Sequence, residues 1–420
     1  MRREFDIAVI GGGPAGIMAA LTAKKENKDR TVCIIDGSER IGKKLRITGG
    51  GRCNFTNDKD ISVFFDNVVN NEKFLYSALY TFSNEDMKKF IKSIGMEYIV
   101  EKDNEDKVYL KSGNSMDLIE TFERELKKND IELLLGNKVI KLVLDGENKR
   151  IYSENMIVDC SKVVIATGGK SYPQTGSDGS MLNILSNAGY KVVKPVPALS
   201  PIDIREKWLR EIPGISMEKI DLYIYNEKSG KKKNRAFKVI NGDIVFTHRG
   251  IGGPAALKVS SYINRKVDSV YIEADFIPNI DEDELYEIAK ESPKKTVFNN
   301  LREVLPNNFL KCFLSRATSL SETGFDFMES QSSNMSKKEF QIVSQLIKHC
   351  VMTPKTIGDI EKATVTSGGV KVSEIDSSTM ESKIHSGVYF AGEVIDIDAL
   401  TGGYNLQIAF STGYLAGKNV

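Results

Sequence analysis

Phe5-Asp6-Ile7-Ala8-Val9-Ile10-Gly11-Gly12-Gly13-Pro14-Ala15-Gly16 is the stretch that decides the fold. Phe5 to Ile10 is apolar and β-branched, the glycines demand a tight turn, and Pro14 to Lys25 has helical composition, so the segment reads strand, turn, helix. Gly11, Gly13 and Gly16 have the spacing of a dinucleotide fingerprint in its proper context. Gly11 permits the turn, Gly13 lets a pyrophosphate approach the backbone, and Gly16 lets helix and strand pack closely. Pro14 and Ala15 open the helix, whose first N–H groups are left free for phosphate. Thr31 to Ile35 reads as a second buried strand ending in Asp36, where a carboxylate accepts from ribose hydroxyls and disfavours a 2′-phosphate.

Working outward, Leu118, Ile119, Phe122 and Leu126 recur at helical spacing from Ser115 to Lys128, with Asn129 as a stop. Short strands are expected at 131–135, 138–144, 150–158 and 162–166, which makes a β-α-β start with an antiparallel meander added. Pro195, Pro197 and Pro201 mark a boundary. A β-rich region from Ser216 to Ile277 surrounds the polar loop Glu227 to Asn234, and helical segments follow at Glu282–Lys290, Asn299–Val304 and Lys337–Cys350. The chain closes with a strand at Gly387–Ala391, a glycine-rich turn and a helix from Tyr404 to Ala416.

The chain has 420 residues, enough for two or three domains. Lys+Arg 58 against Asp+Glu 57 leaves a net charge of +1, so there is no overall field for nucleic acid or an anionic membrane. Five cysteines without a C-x-x-C pair suggest a reducing, cytoplasmic setting. Arg2-Arg3 before an apolar stretch resembles a signal peptide superficially, but Glu4 and Asp6 interrupt it and Gly11 to Pro14 would break its helix. No apolar run reaches the 18 residues of a spanning helix.

Two ligands, FAD and NAD, fit the fingerprint. Further glycine-bearing strand ends favour FAD. Val163 to Ile165 runs into Ala166, Thr167, Gly168 and Gly169, and Tyr389-Phe390-Ala391 runs into Gly392 and Glu393. Gly402-Gly403-Tyr404-Asn405 starts a helix, whose free N–H groups and positive dipole end suit the N1–C2=O edge of a reduced flavin.

Gly42-Lys43-Lys44-Leu45-Arg46-Ile47-Thr48-Gly49-Gly50-Gly51-Arg52-Cys53-Asn54-Phe55-Thr56-Asn57 resembles the signature segment of an NAD(P)/FAD-dependent oxidoreductase family, the HI0933-like flavoproteins, which includes the bile-acid-inducible N protein and an aminoacetone oxidase. Gly168 to Pro173, Phe246 to Ala255, Met380 to Lys383 and Ala391 to Glu393 match as well, so the resemblance spans the chain. It implies an α/β fold with a Rossmann-like, glutathione-reductase-type FAD-binding domain from residues 1–194 and 367–420, a β-rich substrate domain from 195–277 and 355–366, and a helical subdomain at 278–354. It implies that the loop Gly49 to Asn57 lies along FAD, with Gly50, Gly51, Arg52, Cys53 and Asn54 in contact. Lys43, Lys44, Arg46 or Arg52 would offset pyrophosphate charge. Val139, Ala166, Thr167, Gly168, Gly392, Glu393, Gly403, Asn405 and Leu406 complete the expected cofactor set.

Catalytic candidates are fewer. His248 lies in a turn of the inserted region, Tyr172 is a possible donor to a substrate oxygen, and Cys53 is either a small buried side chain or a redox thiol. No metal-ligand spacing appears. The expected activity is hydride transfer through flavin N5, with NAD(P)H as transient donor and a conjugated small organic molecule as acceptor. An amine or amino-ketone oxidase producing peroxide is the alternative. Flavin-dependent RNA modification is a third class, which would require a basic face with interleaved aromatics; the only dense run, Lys231-Lys232-Lys233 with Arg235, reads as a solvated loop. The expected partner is a small-molecule substrate, with neither nucleic acid nor membrane, and the oligomeric state is open.

Overall fold

The structure is a computed structural model describing residues 1–226 and 235–420. The expected loop at 227–234, including Lys231 to Lys233, lies outside the described residues. The chain forms two compact units, Met1–Ala198 with Ile360–Val420, and Leu199–Asp359.

The first unit is built on the opening strand. Arg2–Ile10 lies between Val32–Ile35 and Ile157–Ile165 and pairs with both in parallel. From one edge the sheet order is Glu132–Leu134, Val32–Ile35, Arg2–Ile10, Ile157–Ile165, Lys149–Ser153 and Val139–Val143. The sequence reading made two strands of 150–158 and 162–166, whereas the structure has Lys149–Ser153 and one long strand, Ile157–Ile165. Its first half pairs with the antiparallel hairpin and its second half with Val388–Phe390, which explains the continuity across Ser161. Ile7, Ala8, Val9 and the four residues of Val32–Ile35 are buried, as expected for a strand covered on both faces.

Both chain ends build this unit. The final helix, Tyr404–Asn419, lies directly on the first, Pro14–Glu26: a Cβ on Gly413 would stand 2.2 Å from the Ala15 carbonyl oxygen, and one on Gly417 would stand 2.4 Å from that of Ala19. Small residues four apart let the two backbones touch. A three-stranded antiparallel sheet, Asn54–Asn57, Lys107–Leu110 and Tyr98–Glu101, follows the glycine-rich loop. The helix expected from Ser115 to Lys128 is present with those bounds, and Asn114 caps it by accepting from the Met116 N–H.

In the second unit a seven-stranded sheet contains Ser216–Asn226, Lys238–Phe246 and Val270–Asp275. The helical stretch 278–354, expected as a separate subdomain, shares one core with this sheet. The reason is aromatic: Phe309, on the helix Asn307–Leu320, meets Phe246 of the sheet at 6.1 Å and Phe276 at 4.8 Å between ring centroids. The region read as β-rich also contains a helix, Gly253–Ile263, with Pro254 in its first turn and Ala255, Ala256, Val259 and Ile263 buried. Among the described residues, no helix is long and apolar enough to cross a membrane.

Candidate functional site

The crevice at the carboxyl ends of Arg2–Ile10 and Ile157–Ile165 lies where parallel sheets of this kind bind ligands, because connections diverge there and leave backbone ends open. The glycines of the turn do different work. A Cβ on Gly11 would lie 2.4 Å from the Ala166 carbonyl oxygen, and one on Gly16 would lie 1.9 Å from that of Gly11. Both are demanded by the protein's own packing. Gly13 is the opposite case: its φ of −83° is ordinary and an added Cβ would meet nothing within 4 Å. That open space borders the start of Pro14–Glu26, which has no side-chain cap, so the N–H groups of the first turn are available to an anion.

Asp36 is tied first to the turn. Its Oδ2 accepts from the Gly12 N–H at 2.7 Å and its Oδ1 from the Ser38 N–H at 2.7 Å. A carboxylate has further lone pairs, so the group is oriented without being used up. Val139 begins a strand beside this turn, since the Asn137 N–H donates to the Asp36 carbonyl at 2.9 Å and Lys138 packs on Gly37.

The Thr167 hydroxyl tests whether these residues fit a dinucleotide. It lies just past Ile157–Ile165, its Cα bordering Gly11, and its Oγ1 is buried without a hydrogen-bond partner. Such an orphan costs about 1–3 kcal/mol unless something docks on it. The polar linker of FAD has groups that would pair with such a hydroxyl, so the residues present fit that cofactor.

Lys44 is committed elsewhere. Its ammonium donates to Glu393 Oε2 at 2.7 Å and to Ser171 Oγ at 2.6 Å, while the Thr366 N–H donates to Glu393 Oε1 at 2.7 Å. Burial pushes the Glu393 carboxyl up, but the Lys44 ammonium and the Thr366 hydrogen bonds outweigh it and hold its pKa below the ordinary 4.5. Thr366 also accepts the N–H groups of Lys170 and Ser171. Sequence reasoning passed over Thr366 and Ser171. The available signal was Gly169, whose Cβ would stand 2.4 Å from Thr366 Oγ1.

The signature loop places Gly50 and Gly51 at φ of 66° and 89°, and an added Cβ on Gly50 would meet nothing within 4 Å. Lys43 and Arg46 are exposed. Arg52 pairs with Glu101 and lies 4.1 Å over the Tyr109 ring. Cys53, a catalytic candidate with two readings, is fully buried, and burial pushes its thiol up to about 12, which favours the small buried side chain over the redox thiol. The Asn54 amide donates to the Thr56 and Val108 carbonyls, fastening the loop to its sheet.

At the other chain end, a Cβ on Gly392 would stand 2.8 Å from that of Ala15, and one on Gly403 would stand 2.3 Å from the Thr56 carbonyl oxygen. Gly403 begins Tyr404–Asn419 in a left-handed conformation with no side-chain cap. Asn405 is occupied, bonding both the N–H and the carbonyl of Ala399, and Leu406 is half-buried. Tyr172, also half-buried, has a φ of 54°, held by its N–H on the Glu361 carbonyl and by Thr175, whose N–H and hydroxyl donate to its own carbonyl. His248 lies on an exposed turn of the second unit, where Thr247 Oγ1 accepts the N–H groups of Arg249 and Gly250.

The family described as HI0933-like protein Rossmann domain matches residues 5–419. The 3-dehydro-bile acid delta(4,6)-reductase of Clostridium scindens is 27% identical over 98% of this chain and 98% of its own. The ribosomal RNA dihydrouridine synthase of Haemophilus influenzae is 29% identical over 100% of this chain and 99% of its own. Among solved structures, E. coli quinol fumarate reductase FrdA superposes with a TM-score of 0.52 at 14% identity, covering 100% of this chain and 70% of that one, a likeness of fold alone.

Gly13→Val should leave the protein folded, with circular dichroism and unfolding midpoint near wild type, yet abolish FAD retention by filling the pyrophosphate space; flavin absorbance of the purified variant reads this, and a yellow variant would refute the assignment. Glu393→Gln should destabilise the protein at pH 7 by on the order of 1–3 kcal/mol. Because the folded pKa of Glu393 is lowered, its contribution is complete above the ordinary 4.5 and fades as pH falls through the folded value. Urea unfolding of both proteins should therefore show the gap closing in acid.

Proposed function

Because the chain belongs to the HI0933-like family of Rossmann-type FAD-binding oxidoreductases, we propose that it is an FAD-dependent reductase of a carbon–carbon double bond conjugated to a carbonyl, acting on a small organic substrate. The observation that carries the reading is the chemistry shared by two full-length relatives. A 3-dehydro-bile acid with 4,6-unsaturation has its double bonds conjugated to a 3-oxo group, and a dihydrouridine synthase saturates a uracil bond conjugated to a ring carbonyl. Bound FAD supplies hydride at N5, with NAD(P)H as the replenishing donor.

The chain's own residues then have definable tasks. The free N–H groups opening Pro14–Glu26, with Gly13 beside them, receive the diphosphate, and Asp36 and Thr167 orient the polar linker. The uncapped start of Tyr404–Asn419 favours negative charge near Gly403. Tyr172 is our assignment for proton delivery. Its phenol can donate a proton to a substrate oxygen, and its backbone is held at a positive φ that an L residue adopts only at a cost.

A uridine within RNA is a second reading of the substrate, favoured by the Haemophilus relative's alignment with the whole chain. The deciding experiment mixes the yellow holoprotein anaerobically with NADH or NADPH, follows flavin bleaching, and then adds either a 3-oxo-4,6-diene steroid or uridine-containing ribosomal RNA. Bleaching followed by reoxidation with the steroid supports the small-substrate reading, and reoxidation with RNA alone moves the substrate to uridine. No bleaching, together with substrate-dependent peroxide from an amino-ketone in air, would replace the reductase by an oxidase. In the same assay Tyr172→Phe should slow reoxidation roughly 10²- to 10⁴-fold while bleaching continues; an unchanged rate removes Tyr172 from the mechanism.

A further inference from the structure

Ser177 has a side chain that the protein itself does not use. Its hydroxyl is buried, the residue is 5% exposed, and Oγ has no hydrogen-bond partner. The surrounding geometry places it in the crevice: a Cβ on Gly168, just past the strand Ile157–Ile165, would stand 2.8 Å from Ser177 Oγ and 3.8 Å from Glu393 Oε2. The preceding residue, Gly176, reaches the turn after Asp36, since its Cβ would lie 3.2 Å from Ser38 Oγ. On the far side Asp178 is anchored by Lys138 at 2.6 Å, and Lys138 packs on Gly37. The segment 176–178 thus joins the strand end at Gly168 to the turn that carries Asp36.

A buried hydroxyl between two strand ends, left unpaired while its neighbours are anchored, is a cost to the empty protein and a resource for a ligand. Thr167, one residue before Gly168, carries the same kind of orphan. We propose that Ser177 is a cofactor-binding residue whose hydroxyl hydrogen-bonds the diphosphate–ribose linker of the dinucleotide, together with Thr167. The linker is the part with acceptors and hydroxyls at the Asp36 side of the crevice, whereas the two ring systems lie at its ends. The inference rests on FAD binding in this unit.

The decisive feature is that the two states respond with opposite signs. Ser177→Ala removes an unsatisfied group from the apoprotein and a hydrogen bond from the holoprotein. Titration of flavin-stripped protein with FAD, followed by flavin fluorescence, should show Kd rising roughly 5- to 30-fold in Ser177→Ala, while the urea midpoint of the apoprotein stays level or rises. ADP, which carries the linker without the flavin, should lose affinity in parallel when measured as a competitor. An unchanged FAD Kd, an apoprotein midpoint that falls, or an ADP affinity that does not change would each overturn the Ser177 contact. Wild-type protein that takes up no FAD would overturn the cofactor reading itself, a separate result.

Discussion

The contact on which the rest of the first unit depends is the meeting of three backbones at Gly11. Its Cα lies so close to the Ala166 carbonyl that no side chain fits, and its own carbonyl sits against Gly16 at the same limit. Strand, turn, helix and the neighbouring strand end are thereby locked at van der Waals distance. The turn has no side chains of its own to pack, so the geometry is held by backbone contact and by Asp36, which accepts from Gly12 and Ser38. A dinucleotide cradle requires this combination: rigid walls with an open floor. Gly13 is the floor, since it alone in the fingerprint has empty space where a side chain would be.

The same economy recurs at the other chain end. Gly413 and Gly417 let the last helix lie on the first, Gly392 presses on Ala15, and Gly403 on Thr56. These contacts bring three separately coded segments to one crevice, and they leave the starts of two helices uncapped beside it. Polar groups in this neighbourhood divide into two classes. Lys44, Ser171, Thr366 and Glu393 satisfy one another in a charged network that fixes the walls. Thr167 and Ser177 are left over. In a low-dielectric interior the first class resists disturbance and the second invites a ligand.

Much of this was legible in the linear chain. The opening strand, turn and helix, the helix from Ser115 to Lys128 and the closing helix follow from local periodicity and punctuation, which act over a few residues. The functions of single side chains were less legible. Lys44 reads as a charge for a phosphate, yet its partner is Glu393, 349 residues away. Cys53 follows an arginine in a loop and reads more readily as a small buried side chain than as a thiolate, and its full burial agrees with that reading. Asn405 stands at a helix start, but both ends of its amide are spent on Ala399.

The division of the chain shows the same limit from the packing side. The two units meet in sequence at Ala198, between Pro197 at the end of the strand Val192–Ala198 and Pro201. The helices of 278–354 look like a unit of their own, since each is amphipathic by itself. Which surface that apolar stripe covers is decided only when Phe309 meets Phe246 and Phe276 across the sheet. Backbone conformation and the need for glycine are local and therefore written in the residues. Partnership between side chains depends on which distant segments the closed core brings together, and tertiary structure alone supplies that.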